Sequence, residues 1–180
     1  LRALCDAVVI GAGTAAIDNP QLTTRRVEGE HAVRVLLDPD LRLSPDLRVF
    51  CDQQAPTLLV CDASRQSEAA QRVGAHQVLA VPGLVDAPGN AMRLRRLLDA
   101  LAERGLRVVF VEGGGVTVSR FVQQDCMDRL HLSIAPLVIG GGRAGLSLPA
   151  GTALSDCRRP QGRTYRFGAD ILWDLDLSGC

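Results

Sequence analysis

Three glycine-rich segments each follow an apolar run, where glycine can let a backbone approach a phosphate group closely. They lie at residues 11–13, 113–115 and 140–142. The second follows the wholly apolar residues 108–111 and Glu112, and it precedes an amphipathic stretch. A helix that begins there offers unpaired N–H groups to an anion. The three glycines therefore favour a phosphate-binding loop over a tight turn, for which one glycine would be enough.

The first glycine segment also matches a fingerprint of dinucleotide-binding proteins. Residues 11–16 fit the G-x-G-x-x-G/A pattern, and Asp38 at the end of the next apolar run imitates the ribose-binding acid. The pair Asn19-Pro20 argues against an ordinary Rossmann domain, because proline would stop the helix after barely two turns. For residues 140–142 two interpretations stay open, a flexible loop and a segment that covers a ligand.

Several other chemistries lack the residues that they need. All 20 basic residues are arginine, which excludes a Schiff-base lysine and a Walker A loop within these 180 residues. The 6 cysteines and 3 histidines show no zinc-ligand spacing, so we expect no metal. The net charge of zero argues against nucleic acid as a partner, and no apolar run reaches the ~20 residues that cross a membrane. Unpaired thiols and a cytoplasmic location are expected.

Apolar runs alternate with amphipathic stretches, which is typical of an α/β protein. The strand-like runs are short and rich in β-branched residues, and they lie at 7–10, 33–37, 57–61, 108–111 and 130–135. Residues 108–111 are apolar throughout and are predicted to form a central strand. The helix-like stretches are 90–104, which ends at Gly105, and the residues after Gly115. Residues 164–167 and 169–177 predict an antiparallel hairpin that turns near Gly168.

Four segments in order resemble the riboflavin-biosynthesis pyrimidine reductases of the 5-amino-6-(5-phosphoribosylamino)uracil reductase type. They lie at 8–14, 18–25, 111–115 and 128–136 with 140–142, so the resemblance extends over essentially the whole chain. This family has the dihydrofolate-reductase-like fold. The resemblance implies a single domain over residues 1–180, with a three-layer α/β/α arrangement, a mixed, mostly parallel central sheet and the C-terminal hairpin. Members normally begin with a strand and a helix ahead of the position of Leu1, and the domain is expected to lack both.

The resemblance also implies the reaction and the residues that serve it. The reaction is NADPH-dependent reduction of a ribosylaminopyrimidine 5′-phosphate to its ribitylamino product. The residues that would contact the cofactor are Gly13, Thr14 and Asp18, with Gly114, Gly115, Val116 and Thr117 around its pyrophosphate. The residues that would contact the substrate are Leu22, Arg25 and Glu112. No general acid can be named, and Asp18 and Glu112 are candidates because both follow predicted strands.

Two further expectations and two open alternatives complete the sequence-based hypothesis. Arg42 or Arg65 would bind the 2′-phosphate that distinguishes NADPH from NADH, since each lies shortly after a strand. A homodimer is expected from the apolar strand and the hairpin. Two alternatives to the proposed activity stay open. One is a related reductase of another pterin or pyrimidine, and the other is a nucleotide-binding module without catalysis.

Overall fold

Short apolar strands in the first two thirds of the chain form one parallel sheet. These strands are β1 (Ala7–Gly11), β2 (Val33–Leu37), β3 (Thr57–Asp62), β4 (Val78–Val81) and β5 (Val109–Val111). Their order across the sheet is β4-β3-β2-β1-β5. Val9 in β1 lies opposite Val35 on one side and Val111 on the other. The structure is a computed structural model, and it describes residues 1–85, 92–151 and 153–178.

Helices alternate with these strands along the chain. They are α1 (Ala12–Asp18), α2 (Arg48–Cys51), α3 (Gln66–Val73), α4 (Leu94–Glu103) and α5 (Gly115–Gln123). On one face, Val8, Ile10 and Leu36 pack in a core cluster with residues of α1, α2 and α3. The connection from β4 to β5 crosses the sheet in the opposite direction, so the right-handed crossover rule puts α4 on the other face. The three-layer α/β class is thereby confirmed.

The antiparallel strands form a second sheet of their own. This sheet contains β6 (Arg129–Ile134), β7 (Gln161–Phe167) and β8 (Asp170–Asp176) in the order β6-β8-β7. The hairpin of β7 and β8 is confirmed, with Gly168 in its turn at a φ of 64°. The sheets belong to two compact units, Leu1–Val118 and Ser119–Cys180. The strands expected in one mixed sheet are thus divided between a wholly parallel sheet and a wholly antiparallel one.

The prediction of a central strand at residues 108–111 was wrong. β5 is at the edge of the parallel sheet, where it pairs with β1 alone among the described strands. Val108 is 53% exposed, and the three residues of β5 are half-buried. An apolar run indicates that a strand's side chains are nonpolar, but it does not indicate how many neighbouring strands pair with that strand. The expected start of a helix at Asn90 lies outside the described residues, but Met92 and Arg93 are not helical and α4 begins at Leu94, later than predicted. The expected end of this helix at Gly105, with a φ of 80°, is confirmed.

None of the helices among the described residues has the length and apolar character needed to span a membrane.

Candidate functional site

The first two glycine segments lie at the carboxyl ends of neighbouring strands, β1 and β5, and a hydrogen bond joins them. The Gly114 N–H donates to Oγ1 of Thr14 over 3.1 Å. Gly113 has a φ of 140°, a conformation that side chains with a Cβ rarely adopt. A Cβ on Gly114 would lie 3.3 Å from that same Thr14 oxygen. The parallel pairing of β1 with β5 therefore brings together residues that are 100 positions apart in the sequence.

Packing explains the glycine that ends β1. A Cβ on Gly11 would lie 2.4 Å from Oγ1 of Thr117, a separation that real contacts do not reach. Glycine at position 11 therefore permits the start of α5 to approach β1. A Cβ on Gly13, by contrast, would meet nothing within 4 Å. Of the two glycines in the fingerprint, the first is required by internal packing, and space is left free beside the second.

The start of α5 leaves two backbone donors without a helical acceptor. The Thr117 N–H donates to the Gly114 carbonyl over 3.0 Å, and the Gly114 N–H is bonded to Thr14. Gly115 and Val116 are in the first turn, where N–H groups have no acceptor inside the helix. Of the four residues expected around the pyrophosphate, 114–117, Gly115 and Val116 therefore have N–H groups available to an anion. The Thr14 hydroxyl accepts from Gly114 and keeps its own hydrogen for a further acceptor.

The segment that follows α1 is held in place by two arginines. Arg34 Nη1 donates to the Gln21 carbonyl over 3.2 Å, and Arg2 Nη1 donates to the Thr23 carbonyl over 2.9 Å. Leu22 lies between them with a φ of 56° and is 2% exposed. Its side chain packs in the core, so a contact of Leu22 with a substrate would have to involve its backbone. Arg25 follows this segment and is exposed.

The two candidate acids are in different settings. Asp18 is the last residue of α1 and is exposed, and Asn19 after it has a φ of 39° and accepts from the Arg48 N–H. Glu112 directly follows β5, and its side chain is 36% exposed. Both Glu112 oxygens accept from Arg2, from Nε over 2.8 Å and from Nη2 over 2.6 Å. A hydrogen bond from the Glu112 N–H to the Val9 carbonyl fixes its backbone against β1.

Comparison with known proteins shows the family to which the chain belongs. The family model described as the RibD C-terminal domain matches residues 1–172. The chain belongs to the RibD C-terminal domain family. The match extends across both compact units and includes both glycine-rich junctions. The resemblance read from the four sequence segments is thereby confirmed.

Two curated relatives of this RibD C-terminal domain differ in length. The 2,5-diamino-6-ribosylamino-4(3H)-pyrimidinone 5′-phosphate reductase of Methanothermobacter thermautotrophicus is 31% identical, over 99% of the chain and 83% of that protein. The riboflavin biosynthesis protein RibD of Bacillus amyloliquefaciens is 34% identical, over 74% of the chain and 35% of that protein. The chain thus matches most of the first relative and about a third of the second.

Solved structures share the fold. A deaminase/5-amino-6-(5-phosphoribosylamino)uracil reductase of Thermotoga maritima has a TM-score of 0.78 and 29% identity, and the match covers 97% of the chain and 46% of that protein. The riboflavin biosynthesis reductase Rib7 of Saccharomyces cerevisiae has a TM-score of 0.74 and 21% identity, over 98% of the chain and 77% of that protein. At 21% identity the second likeness is one of fold alone.

Two arginines that hold the site were missing from the sequence-based hypothesis. Arg2 was not assigned a role, and its partners Thr23 and Glu112 are 21 and 110 positions away. Arg34 is 1% exposed and pairs with Asp52, with Nη2 2.8 Å from Oδ1. Burial raises the pKa of Asp52, but hydrogen bonds from Arg34 and from the Gln54 N–H outweigh it and leave the pKa lowered. An arginine inside the apolar run of β2 was the available signal, because a buried charge needs a partner.

The cations expected at a 2′-phosphate already have partners. Nε of Arg42 lies 3.8 Å from Oδ1 of Asp38 and 3.6 Å from Oδ2 of Asp40. Arg65 binds both Glu68 oxygens and donates to the Pro39 carbonyl over 3.1 Å. Asp38 is fully buried and accepts from the Leu43 N–H over 2.7 Å, so it fixes the loop after β2. Its burial does not fit the role of an exposed ribose-binding acid.

Among the described residues, no group of three or more His, Cys, Asp or Glu side chains could hold a metal ion.

Proposed function

We propose that this chain is a reductase of riboflavin biosynthesis that converts a ribosylaminopyrimidine 5′-phosphate to its ribitylamino product with NADPH. The names of the relatives support the reaction, and a reductase of this family implies a nicotinamide cofactor. We further propose that residues 1–180 work as one reductase domain, since the family match extends across both units. The observation that carries the proposal is the joined pair of glycine-rich junctions at Thr14 and Gly114.

The residues at these junctions fit a pyrophosphate. The N–H groups of Gly115 and Val116 and the hydroxyl hydrogen of Thr14 supply donors, and glycines 113 and 114 add no side chain between them. In this proposal Thr117 contributes by its position against Gly11, while Gly13 and Asp18 contact the cofactor along α1. When bound, NADPH supplies the hydride that reduces the ring-opened ribosylamine carbon. The chain supplies binding and orientation.

The substrate is proposed to lie against the segment that Arg2 and Arg34 hold. Arg25 is exposed beside this fixed segment and would bind the substrate phosphate, because its planar guanidinium can donate two parallel hydrogen bonds. Glu112 would face the reacting end of the substrate. Leu22 would contribute its backbone, because its side chain is buried.

The preference for NADPH over NADH is proposed to depend on Arg42 or Arg65. Each would have to exchange an acidic partner for the 2′-phosphate, so we expect a modest preference. Changing the responsible arginine to alanine should reduce the ratio of kcat/KM values for NADPH and NADH by about tenfold, equivalent to ~1.4 kcal/mol. Steady-state kinetics with both cofactors measures this ratio. Equal use of the two cofactors by the unmodified protein would contradict the proposal.

A homodimer is also proposed, and the second unit offers a surface for it. The register of β6 and β8 places Leu132 opposite Trp173 and Ile134 opposite Ile171. These four apolar side chains share one face of the sheet and are between 36% and 50% exposed. A contiguous apolar face of this kind is typical of a surface that a second chain covers. Light scattering of the full chain tests the expected dimer mass. The cytoplasmic location stays a prediction.

The assay that tests the function uses the full chain with NADPH and the phosphorylated ribosylaminopyrimidine. We expect steady NADPH oxidation and a ribitylamino product identified by mass spectrometry and NMR. Oxidation with a different pterin or pyrimidine alone would favour the related reductase. Cofactor binding without turnover of either substrate would favour a nucleotide-binding module.

Arg25 gives the sharpest mutational test of substrate binding. We expect Arg25→Ala to raise the KM of the phosphorylated pyrimidine by about tenfold, because a charge-assisted hydrogen bond contributes ~1.5–3 kcal/mol in similar settings. Arg25→Lys should recover part of this loss, because a point charge cannot make the paired contact. The Kd for NADPH should stay within about twofold, which corresponds to less than ~0.5 kcal/mol. Loss of NADPH affinity instead would assign Arg25 to the cofactor site.

A further inference from the structure

Arg2 makes three hydrogen bonds that connect two distant parts of the candidate site. Its Nε and Nη2 bind the two oxygens of Glu112 over 2.8 and 2.6 Å. Its Nη1 donates to the Thr23 carbonyl over 2.9 Å. One guanidinium therefore fixes the acid at the end of β5 relative to the segment proposed to contact the substrate. The arrangement is partly shielded from water, since the Arg2 and Glu112 side chains are 20% and 36% exposed.

This geometry makes Glu112 an acceptor of hydrogen bonds from Arg2. Two cationic N–H groups point at its two oxygens, and an ionised carboxylate accepts such bonds at both. Arginine has no acceptor atom, so Arg2 donates both of these hydrogen bonds and Glu112 accepts them. Glu112 in this setting is a hydrogen-bond acceptor with lone pairs left over for further N–H donors.

We propose that Arg2 is a positioning residue that holds Glu112 as a hydrogen-bond acceptor aimed at the N–H groups of the aminopyrimidine. This inference rests on the proposed function, which supplies the aminopyrimidine. Glu112 then recognises the substrate and does not deliver the proton in the reduction. Of the two candidate acids, only Asp18 remains for that role.

The experiment compares Arg2→Gln, Glu112→Gln and the double variant in the full chain. If Arg2 acts through Glu112, each single variant should raise the KM of the aminopyrimidine by about tenfold, or ~1.4 kcal/mol, and lower kcat by less. The double variant should be no worse than the poorer single variant, because both changes remove the same interaction. The pH profile of kcat in Glu112→Gln should have the same acidic and basic limbs as the profile of the unmodified protein. Arg2→Lys should restore part of the KM, and Kd for NADPH should stay within about twofold in every variant.

Controls separate this inference from its rivals. Arg95→Gln changes an exposed arginine of α4 and should leave the KM of the aminopyrimidine unchanged.

Additive effects of Arg2→Gln and Glu112→Gln on KM would overturn the inference. So would an Arg2→Gln effect that disappears with a substrate lacking the 5′-phosphate, since Arg2 would then bind that phosphate itself. The inference would also be wrong if Glu112→Gln had a normal KM, a much lower kcat and no fall of kcat at high pH, because Glu112 would then be the group that donates the proton. An unmodified chain without activity would instead refute the proposed function.

Discussion

Two runs of three glycines, at 113–115 and 140–142, have the same composition and opposite surroundings. In the first, Gly113 has a φ of 140° and a Cβ on Gly114 would lie 3.3 Å from the Thr14 hydroxyl oxygen. In the second, Cβ atoms on glycines 140, 141 and 142 would meet nothing within 4 Å. The first run is built into a junction between two strands, and the second lies in irregular chain after β6. Glycine content alone therefore does not distinguish the two runs, whereas their neighbouring side chains do.

The largest expected effect follows from filling the first run. Gly114→Val should weaken NADPH binding at least about tenfold, because its Cβ would crowd Thr14 and its methyl groups would occupy the proposed cradle. Fluorescence titration with NADPH measures the Kd. Gly141→Val is the matched control, and it should change Kd by less than about twofold. Equal losses of NADPH affinity in both variants would contradict the distinction between the two runs and would indicate that residues 140–142 cover the ligand.

A smaller effect is expected from the residue that joins the first run to α1. Thr14→Val keeps the shape of the side chain and removes the acceptor of the Gly114 N–H. It also removes the hydroxyl hydrogen that we propose to bind the pyrophosphate, and the loss of one hydrogen bond of about 1 kcal/mol should raise the Kd for NADPH about fivefold. Thr14→Ser keeps the hydroxyl and should stay close to the unmodified protein. An unchanged Kd in Thr14→Val would show that this hydrogen bond does not shape the cofactor site.

The smallest effect is expected in the second run, and it concerns stability. Gly140 has a φ of 81°, so Gly140→Ala should lower the free energy of unfolding by about 1 kcal/mol. Urea unfolding followed by circular dichroism measures this change. NADPH affinity should be unaffected. The opposite result, a lower affinity for NADPH with an unchanged free energy of unfolding, would contradict this prediction. It would mean that residue 140 contacts the cofactor and that alanine adopts the left-handed conformation there without loss of stability.

The parts of the fold that depend on local pattern were predictable from the sequence. β1, β2, β3, β6 and the hairpin follow β-branched or alternating runs, and α4 follows apolar positions on one face. The edge position of β5 was not predictable, because pairing depends on strands elsewhere in the chain. The separation into two sheets has the same cause. β4 and α3 were missed because the stretch after Asp62 combines short apolar runs with many polar residues.

The candidate site was predictable only where the chain marks it with glycine. The run at 113–115 and residues 11–14 stood out by composition, and the structure joins them through Thr14 and Gly114. The carbonyl groups that Arg2 and Arg34 bind could not be predicted, because a hydrogen bond to a distant carbonyl leaves no local pattern. Leu22 shows a different limit. The segment predicts that this residue contacts the substrate, and only the structure shows that its side chain is buried, which leaves its backbone for that contact.

Backbone amide exchange with and without NADPH tests the central claim most directly, which is that the junction of β5 with α5, and not the run at 140–142, holds the cofactor. The measurement uses ¹⁵N-labelled full chain and reads each N–H by NMR. Saturating NADPH should protect Gly115 and Val116, whose N–H groups have no acceptor in the first turn of α5. Residues 140–142 should exchange as before. Protection confined to 140–142, with Gly115 and Val116 unchanged, would contradict the claim.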